Sequence, residues 1–150
     1  MPTGKKLYTK IFKSFFMKLN IATIGTWVLR LLAAVIMIQT LYFKFSASEE
    51  SVYIFSTVGM EPWGRIGSGV FELIASILIL IPRTTAIGAL LGIGLMSGAL
   101  FFHLTKLGLV VKDDGGQLFI YALLVFLSCI ALCIIYRNDL LMLLKKITNK

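Results

Sequence analysis

Five polar residues lie within or beside the apolar runs of this sequence and are its best candidates for chemistry. They are Arg30, Lys44, Glu61, Glu72 and His103. Glu72 lies inside the apolar run of residues 69–82. A carboxylate at that depth in a membrane costs on the order of 3 kcal/mol unless it is paired, protonated or in contact with water. Glu72 therefore predicts either a structural ion pair or a site that binds a ligand or exchanges a proton.

Arg30 is the expected partner of Glu72. Three or four residues away from each of them along a helix, the side chains are mostly small, which predicts that both lie on faces where helices approach closely. If the two apolar runs are helices of similar length, both residues fall near mid-membrane on neighbouring antiparallel helices. We expect a buried guanidinium–carboxylate pair, because pairing is the least costly state for both groups. The spacing leaves open whether this pair is a structural clamp alone or also contacts a ligand.

The sequence offers few residues for metal or covalent chemistry. His103 is the single histidine, which excludes haem ligation by two histidines of one chain, and no cluster of cysteine, histidine and carboxylate has the spacing of a zinc site. His103 is either a polar end-cap of its helix or a group that binds a ligand. Cys129 and Cys133, four residues apart, are expected to be small core residues. No phosphate loop, dinucleotide fingerprint or nucleophile elbow is present, so we expect no metal site and no catalytic residue.

The elements that carry these residues are predicted to be membrane helices. Hydrophobic residues make up 58% of the chain, charged residues 15%, and the mean hydropathy is +0.91, whereas a soluble domain has roughly 45–50% apolar and about 25% charged residues. Four runs are long enough to span a bilayer: residues 21–43, 63–81, 85–104 and 117–136. We predict an all-α fold, a polytopic membrane four-helix bundle. In the third run, the patterns GALLG and GLMSG predict a tightly packed helix face.

The positions of lysine and arginine predict the orientation of the bundle. Ten of these residues flank the spans on the side of the two chain termini, and only four lie on the other side: Lys44, Arg65, Lys106 and Lys112. The positive-inside rule then places both termini in the cytoplasm, an N-in/C-in topology. The net charge of +8 does not predict nucleic-acid binding, because the basic residues cluster beside apolar spans rather than on a soluble face.

Three segments outside the spans have predicted roles. Residues 1–20 are predicted to form a basic amphipathic helix in the membrane interface, in contact with anionic lipid headgroups, although an unstructured basic topology signal fits the same residues. Between the first two spans, serines, acids in the first turn and Gly59 predict a short helix over the outer face of the bundle. Residues 21–140 then form the four-helix domain, and residues 141–150 form a basic cytoplasmic tail.

The order of the polar residues resembles the pattern of a known family. An arginine in the first span, a lysine in LYFKF, the segment MEPWGRIGSGVFELIASILILIPRTTAIGALLG and a histidine in GALFFHLTKLG are similar to the DoxX family of small four-helix bacterial membrane proteins. The resemblance implies a bacterial cytoplasmic (inner) membrane protein and carries over Arg30, Lys44, Glu72 and His103 as its polar residues. It also implies a link to membrane oxidoreductase complexes and oxidative-stress defence, since one relative, DoxD, is a subunit of a thiosulfate:quinone oxidoreductase.

Three functions from different classes follow. The first is an auxiliary membrane subunit, not catalytic alone, that binds a quinone-like ligand in a cleft and works with a partner oxidoreductase subunit. In this hypothesis Arg30 and Glu72 form the polar inner end of the cleft, and Lys44, Glu61 and His103 lie nearer its outer opening. The second is a ligand-free scaffold or assembly protein. The third, a small transporter or lipid-handling protein, is the least favoured, because no clear internal repeat is present. The sequence leaves open whether the protein forms an oligomer.

Overall fold

The computed structural model describes residues 21–148, and in that range the chain is helical and contains no strand. The helices are α1 (Ile21–Phe45), α2 (Glu49–Val58), α3 (Trp63–Leu80), α4 (Thr85–Phe102), α5 (Gln117–Ile135) and α6 (Arg137–Thr148). A π-helical turn, His103–Leu107, extends α4. The predicted interfacial helix at residues 1–20 lies outside the described residues.

The four longest helices match the four predicted spans. The helices α1, α3, α4 with its π-helical turn, and α5 are each long and apolar enough to cross a membrane. Their outward faces carry large exposed apolar side chains, among them Val28, Val35, Phe71 and Leu127. Such faces are stable only where lipid or another apolar surface covers them. The all-helical fold with four candidate spanning helices is therefore confirmed.

The four spans form a closed ring in which every neighbouring pair is antiparallel. Helix α1 packs against α3 and α5, and α4 packs against the same two helices. One end of the ring, called here the α2 end, holds the last residues of α1 and the first residues of α3. The opposite end, the α6 end, holds the turn between α3 and α4. Fully buried small and aliphatic side chains fill the ring in its α6 half, including Ala33, Ala75, Ile79, Val125 and Leu132.

The glycines of α4 divide into two pairs with different surroundings. A Cβ added to Gly88 would lie 2.6 Å from the backbone nitrogen of Ile79, and one added to Gly92 would lie 2.7 Å from Cys129 Sγ. Gly88 and Gly92 therefore allow the close packing that GALLG predicts. Among residues 21–148, a Cβ added to Gly94 or Gly98 would have no neighbour within 4 Å. The prediction that GLMSG forms a packed face is wrong, because these two glycines border open space.

A ten-residue helix, α2, occupies the connection between the first two spans. Its N-terminus is capped by Ser48 Oγ, which accepts a hydrogen bond from the backbone N–H of Ser51 at 3.3 Å. Gly59 ends it with a left-handed φ of 80°, which glycine adopts without strain. Helix α2 contacts α1, α3 and the π-helical turn, so it lies across one end of the ring. Its position on the outer side of the membrane stays a prediction, as does the N-in/C-in topology.

Candidate functional site

Arg30 caps the end of a neighbouring helix. Its side chain is 2% exposed. Its Nε donates a hydrogen bond to the carbonyl oxygen of Ile79 at 2.7 Å, and Nη2 donates to that of Leu80 at 2.5 Å. These carbonyls belong to the last turn of α3, where a helix has no internal donors left and its dipole is negative. The guanidinium also lies over the Trp27 ring, 4.0 Å from its centroid.

The expected pair between Arg30 and Glu72 is therefore wrong, for two reasons. Arg30 lies level with Ile79, and Glu72 is seven residues earlier in α3, which is about 10 Å along a helix axis. Helical side chains also lean toward the N-terminus of their own helix. Because α1 and α3 are antiparallel, Arg30 leans toward the α6 end and Glu72 toward the α2 end. The two side chains point away from each other.

Glu72 pairs instead with Lys44. The Lys44 ammonium donates to Glu72 Oε1, and Thr40 Oγ1 donates to Glu72 Oε2 at 3.0 Å. The Lys44 side chain is 15% exposed and that of Glu72 is 6% exposed. The same tendency explains this contact. Lys44, near the end of α1, leans toward the α6 end and so into the ring, whereas Glu72 leans toward the α2 end and so toward Lys44. The buried carboxylate thus has one ionic partner and one hydroxyl partner.

Arg65, which the sequence reasoning did not select, links Glu61 to the end of α1. Its Nε donates to both Glu61 carboxylate oxygens, at 2.9 and 3.0 Å, and Nη2 donates to Oε1 at 2.8 Å. Its Nη1 donates to the carbonyl oxygen of Lys44. Arg65 therefore caps α1 as Arg30 caps α3, and we call Arg30 and Arg65 the reciprocal arginine caps. The spacing of Glu61 and Arg65, four residues apart, was the available signal.

A cavity of about 570 Å³ opens inside the ring at the α2 end. Residues of α1, α3, α4 and α5 line it, and α2 contributes to its cover. Most of the lining is apolar, and the main polar side chains are those of Thr40, Lys44, Glu50, Glu72, His103, Asp114, Gln117 and Tyr121. Of the five candidate residues, the structure brings three together at this cavity: Lys44, Glu72 and His103. Arg30 and Glu61 do not line it, because both are engaged in the capping interactions described above.

His103 is held in one orientation at the start of the π-helical turn. The side chain is buried, at 6% exposure. Its Nδ1 lies 2.9 Å from the carbonyl oxygen of Gly108. Since a carbonyl oxygen only accepts hydrogen bonds, Nδ1 carries the hydrogen of this contact. The ring also meets Phe119 edge to face, with centroids 5.8 Å apart. The contact with Gly108, which directly follows the π-helical turn, thus fixes the orientation of the imidazole ring.

Asp114 orders the loop between the π-helical turn and α5. Its Oδ1 accepts hydrogen bonds from the backbone N–H groups of Val111 and Gly116, at 2.8 and 2.9 Å, and Oδ2 accepts from that of Leu118 at 3.0 Å. Burial raises the pKa of Asp114. The three N–H donors and the nearby His103 outweigh burial and hold the pKa below its usual value. Asp114 therefore stabilises the start of α5 as a charged cap.

The groups around the cavity suit binding and hydrogen bonding. Residues 21–148 contain no group of three or more His, Cys, Asp or Glu placed to hold a metal ion. Cys129 is buried, Cys133 is partly buried, and neither lines the cavity. The cavity therefore offers one ion pair, one imidazole, two further carboxylates (Glu50 and Asp114) and several neutral polar groups on a mostly apolar wall.

Comparison with known proteins gives one match. A family model described as DoxX matches residues 25–105, which is more than half of the 150-residue chain. The matched range includes both arginine caps, the Lys44–Glu72 pair and His103. Neither the curated proteins nor the solved structures that were searched gave a match.

Proposed function

The chain belongs to the DoxX family of membrane proteins, and from this premise we propose that it binds a quinone-like ring in the cavity at the α2 end. In this proposal the protein is an auxiliary subunit of a bacterial inner-membrane oxidoreductase or stress-related complex. It holds the ligand while a partner subunit exchanges electrons with it. Both termini face the cytoplasm, and the cavity faces the outer side.

The observation that carries this proposal is the cavity itself. A volume of about 570 Å³ falls within the range of roughly 300–1,000 Å³ found for small-molecule sites, which are mainly apolar with a few convergent polar groups. Gly94 and Gly98 have no side chains to fill this space, and no neighbouring atom lies within 4 Å of a Cβ built on either. A bundle without a ligand gains stability by filling such a space.

The chemistry of the lining supports a neutral amphipathic ring. Phe43, Phe55 and Phe102 offer aromatic surface, and Met37 and Met96 offer flexible apolar surface. The cavity is partly open, so an apolar tail can extend from it. A few polar groups interrupt a lining that is mostly apolar, which suits the oxygen atoms of a quinone. The lining contains no thiol, so we infer that this chain contributes binding and that electrons come from the partner.

A cavity-filling substitution tests this proposal. Gly98→Leu places a side chain in the open space without changing a polar group. Gly67→Leu is the matched control, since a Cβ on Gly67 also has no neighbour within 4 Å but Gly67 does not line the cavity. The full chain is purified gently from membranes, and its bound quinone is measured by native mass spectrometry and solvent extraction. Binding of added decylubiquinone is measured by thermal shift in detergent.

We expect quinone in the wild-type protein and in Gly67→Leu, and at least a tenfold loss in Gly98→Leu. No quinone binding by the wild-type protein, or equal binding by both variants, would reject the site. The ligand-free scaffold would then be the better function. That alternative is favoured by one observation: Arg30 and Arg65 donate hydrogen bonds between α1 and α3, and Glu61 pairs with Arg65, so these charged groups have structural partners.

A further inference from the structure

His103 has one ring nitrogen that the fold leaves unused. Nδ1 is bonded to Gly108, but Nε2 has no hydrogen-bond partner among residues 21–148. In that range every buried side-chain nitrogen or oxygen has a partner, so Nε2 must keep contact with open space. His103 is 94% buried and lines the cavity. We assign this contact to the cavity, which is the open space that His103 lines.

The fixed tautomer gives Nε2 a defined chemical role. Because Gly108 requires the hydrogen on Nδ1, a neutral imidazole presents a lone pair at Nε2. Gly108 has a left-handed φ of 82°, which favours glycine and brings the chain back toward His103 after the π-helical turn. The backbone therefore orients the ring, and the cavity receives a hydrogen-bond acceptor.

The other charged groups of the lining are largely committed. Glu72 accepts hydrogen bonds from Thr40 Oγ1 and from the Lys44 ammonium, so the ammonium is also engaged. Asp114 accepts three backbone N–H groups. Glu50 is the remaining carboxylate of the lining; it lies on α2 and is only partly buried. Two side chains of the lining that are at least nine-tenths buried have a polar atom without a hydrogen-bond partner in the described residues: His103 at Nε2 and Ser51 at Oγ. The imidazole nitrogen is the one held as an acceptor, because a hydroxyl rotates and can also donate.

We propose that His103 Nε2 accepts a hydrogen bond from a hydroxyl group on the ring that binds in the cavity. The site then prefers the hydroxyl-bearing form, a quinol or phenol, over the matching quinone or ether, which has no hydrogen to donate. This inference rests on the proposed function, because it concerns the same cavity. It assigns His103 as the residue that determines specificity.

Two probes of matched shape separate this hydrogen bond from general apolar binding. The probes are 4-nonylphenol and 4-nonylanisole, which share a ring and a tail and differ in carrying O–H or O–CH3. Neither requires a redox reagent. Their dissociation constants are measured by calorimetry with the full chain in detergent. We expect the phenol to bind the wild-type protein about tenfold more tightly, the effect of one hydrogen bond to an otherwise unsatisfied buried group.

Four variants locate the effect. His103→Asn keeps an N–H that can donate to Gly108 but has no acceptor at the position of Nε2, so the preference for the phenol should fall below about twofold. His103→Gln can place its amide oxygen near that position and should recover part of the preference. Glu50→Gln and Ser51→Ala change two other groups of the lining that could accept the same hydrogen bond, and both should leave the preference unchanged. Circular dichroism and thermal unfolding establish that each variant is folded.

The outcomes distinguish this inference from the proposed function. Equal binding of the two probes by the wild-type protein would overturn the role of His103. If Gly98→Leu then failed to bind either probe, the cavity would still be supported as a binding site. A preference that survives in His103→Asn, or that disappears in Glu50→Gln or Ser51→Ala, would also overturn the role of His103. If neither probe nor decylubiquinone binds the wild-type protein, the proposed function and this inference both fail.

Discussion

At the scale of single residues, each charged side chain within the spans finds the partner toward which its own helix directs it. Arg30 leans to the α6 end and meets carbonyl oxygens of α3. Lys44 and Glu72 lean toward each other and form an ion pair. The result is two polar clusters at different depths, and only the one at the α2 end borders the cavity.

The Lys44–Glu72 pair can be measured by a double-mutant cycle. Glu72→Gln removes the charge that faces the Lys44 ammonium, and leaving one partner of a buried pair alone is costly. Because Lys44 keeps 15% exposure near the end of α1, we expect a loss of about 2 kcal/mol in the free energy of unfolding, below the roughly 3–5 kcal/mol of a fully buried pair. Thermal unfolding in detergent measures it, and adding Lys44→Met should recover at least half of the loss.

Arg30→Met serves as the control for that cycle. Arg30 bonds to backbone oxygens of α3 and does not contact Glu72, so its effect should add to that of Glu72→Gln. Recovery by Arg30→Met, with no recovery by Lys44→Met, would contradict the observed pairing.

Asp114 gives a prediction with a defined pH dependence. Its pKa in the folded protein lies below the usual value of 3.8, so the charged carboxylate contributes stability above that value. This contribution is lost as the pH falls through the lower, folded pKa. Asp114→Asn should therefore unfold at a lower temperature than the wild-type protein at neutral pH, and the difference should shrink once the pH drops below about 4.

The neighbouring exposed residue provides the matched control. Asp113→Asn removes the same charge one position earlier, and that side chain makes no hydrogen bond in the described structure. It should leave the unfolding temperature within about 1 °C of wild type at every pH, since isolated surface charges contribute little. Equal pH dependence in the two variants would mean that Asp114 is not a specific cap.

Sequence reasoning identified the important polar residues but not all their partners. Glu72 was correctly placed on an interior face, because small neighbours on a helix are visible in the sequence. Its predicted partner was wrong because Arg30 lies level with Ile79, two turns from Glu72, and because the two side chains lean in opposite directions on antiparallel helices. The spacing in the sequence shows neither the relative shift of the two helices nor this lean. Arg65 was overlooked because one arginine in a first helical turn looks like a surface residue.

At the scale of elements, α4 changes its role along its length. In the antiparallel hairpin of α3 and α4, Gly88 lies beside Leu78. Ten residues later in α4 is Gly98, and ten residues earlier in α3 is Ser68, so these two residues are at the same level. Both of these residues line the cavity. Small residues thus face small residues there, and a void results instead of a packed contact. A small-residue pattern in one helix cannot distinguish these outcomes, because the partner helix decides.

This difference predicts opposite effects for two identical substitutions. Gly88→Ala would push a methyl group to within 2.6 Å of the Ile79 backbone nitrogen, so we expect a loss of about 2 kcal/mol from overpacking. Gly98→Ala enters open space and should be neutral or stabilising by up to about 1 kcal/mol, because alanine favours the helix. Thermal unfolding of both variants measures this, and equal losses would contradict the described packing.

The helical elements themselves were largely predictable. The ends of the predicted spans lie within three residues of the ends of the observed helices. An apolar run of bilayer length has few folds open to it other than a spanning helix. The π-helical turn was not predicted, since nothing in HLTKL differs from an ordinary helical sequence. The cavity was expected near Glu72, but the part of its lining supplied by α2 depends on tertiary contacts.

At the scale of the whole molecule, the orientation in the membrane is the main prediction that awaits a test. Ten lysines and arginines flank the spans at the side of the chain termini, so we expect the α2 end on the outer side. Ser46→Cys and Asp113→Cys lie in exposed connections at that end. Both should react with a membrane-impermeant maleimide added to intact cells, and a cytoplasmic reporter fused after Lys150 should be active.

The parent chain is the control for this labelling, because Cys129 and Cys133 lie within α5. Labelling of Asp113→Cys only after the cells are opened would reverse the predicted orientation or overturn the four-span arrangement.

The reciprocal arginine caps also bear on the order in which a ribosome makes this chain. Arg30 emerges within α1, but the carbonyl groups that it binds are 49 and 50 residues away in the sequence. The carbonyl oxygen of Lys44, in the last turn of α1, likewise has its donor in Arg65, which is synthesised 21 residues later. During that interval an isolated α1 would carry an unmatched cation into lipid. We therefore expect the nascent helix to stay beside the insertion machinery until α3 arrives, so that the two spans enter the bilayer as a pair.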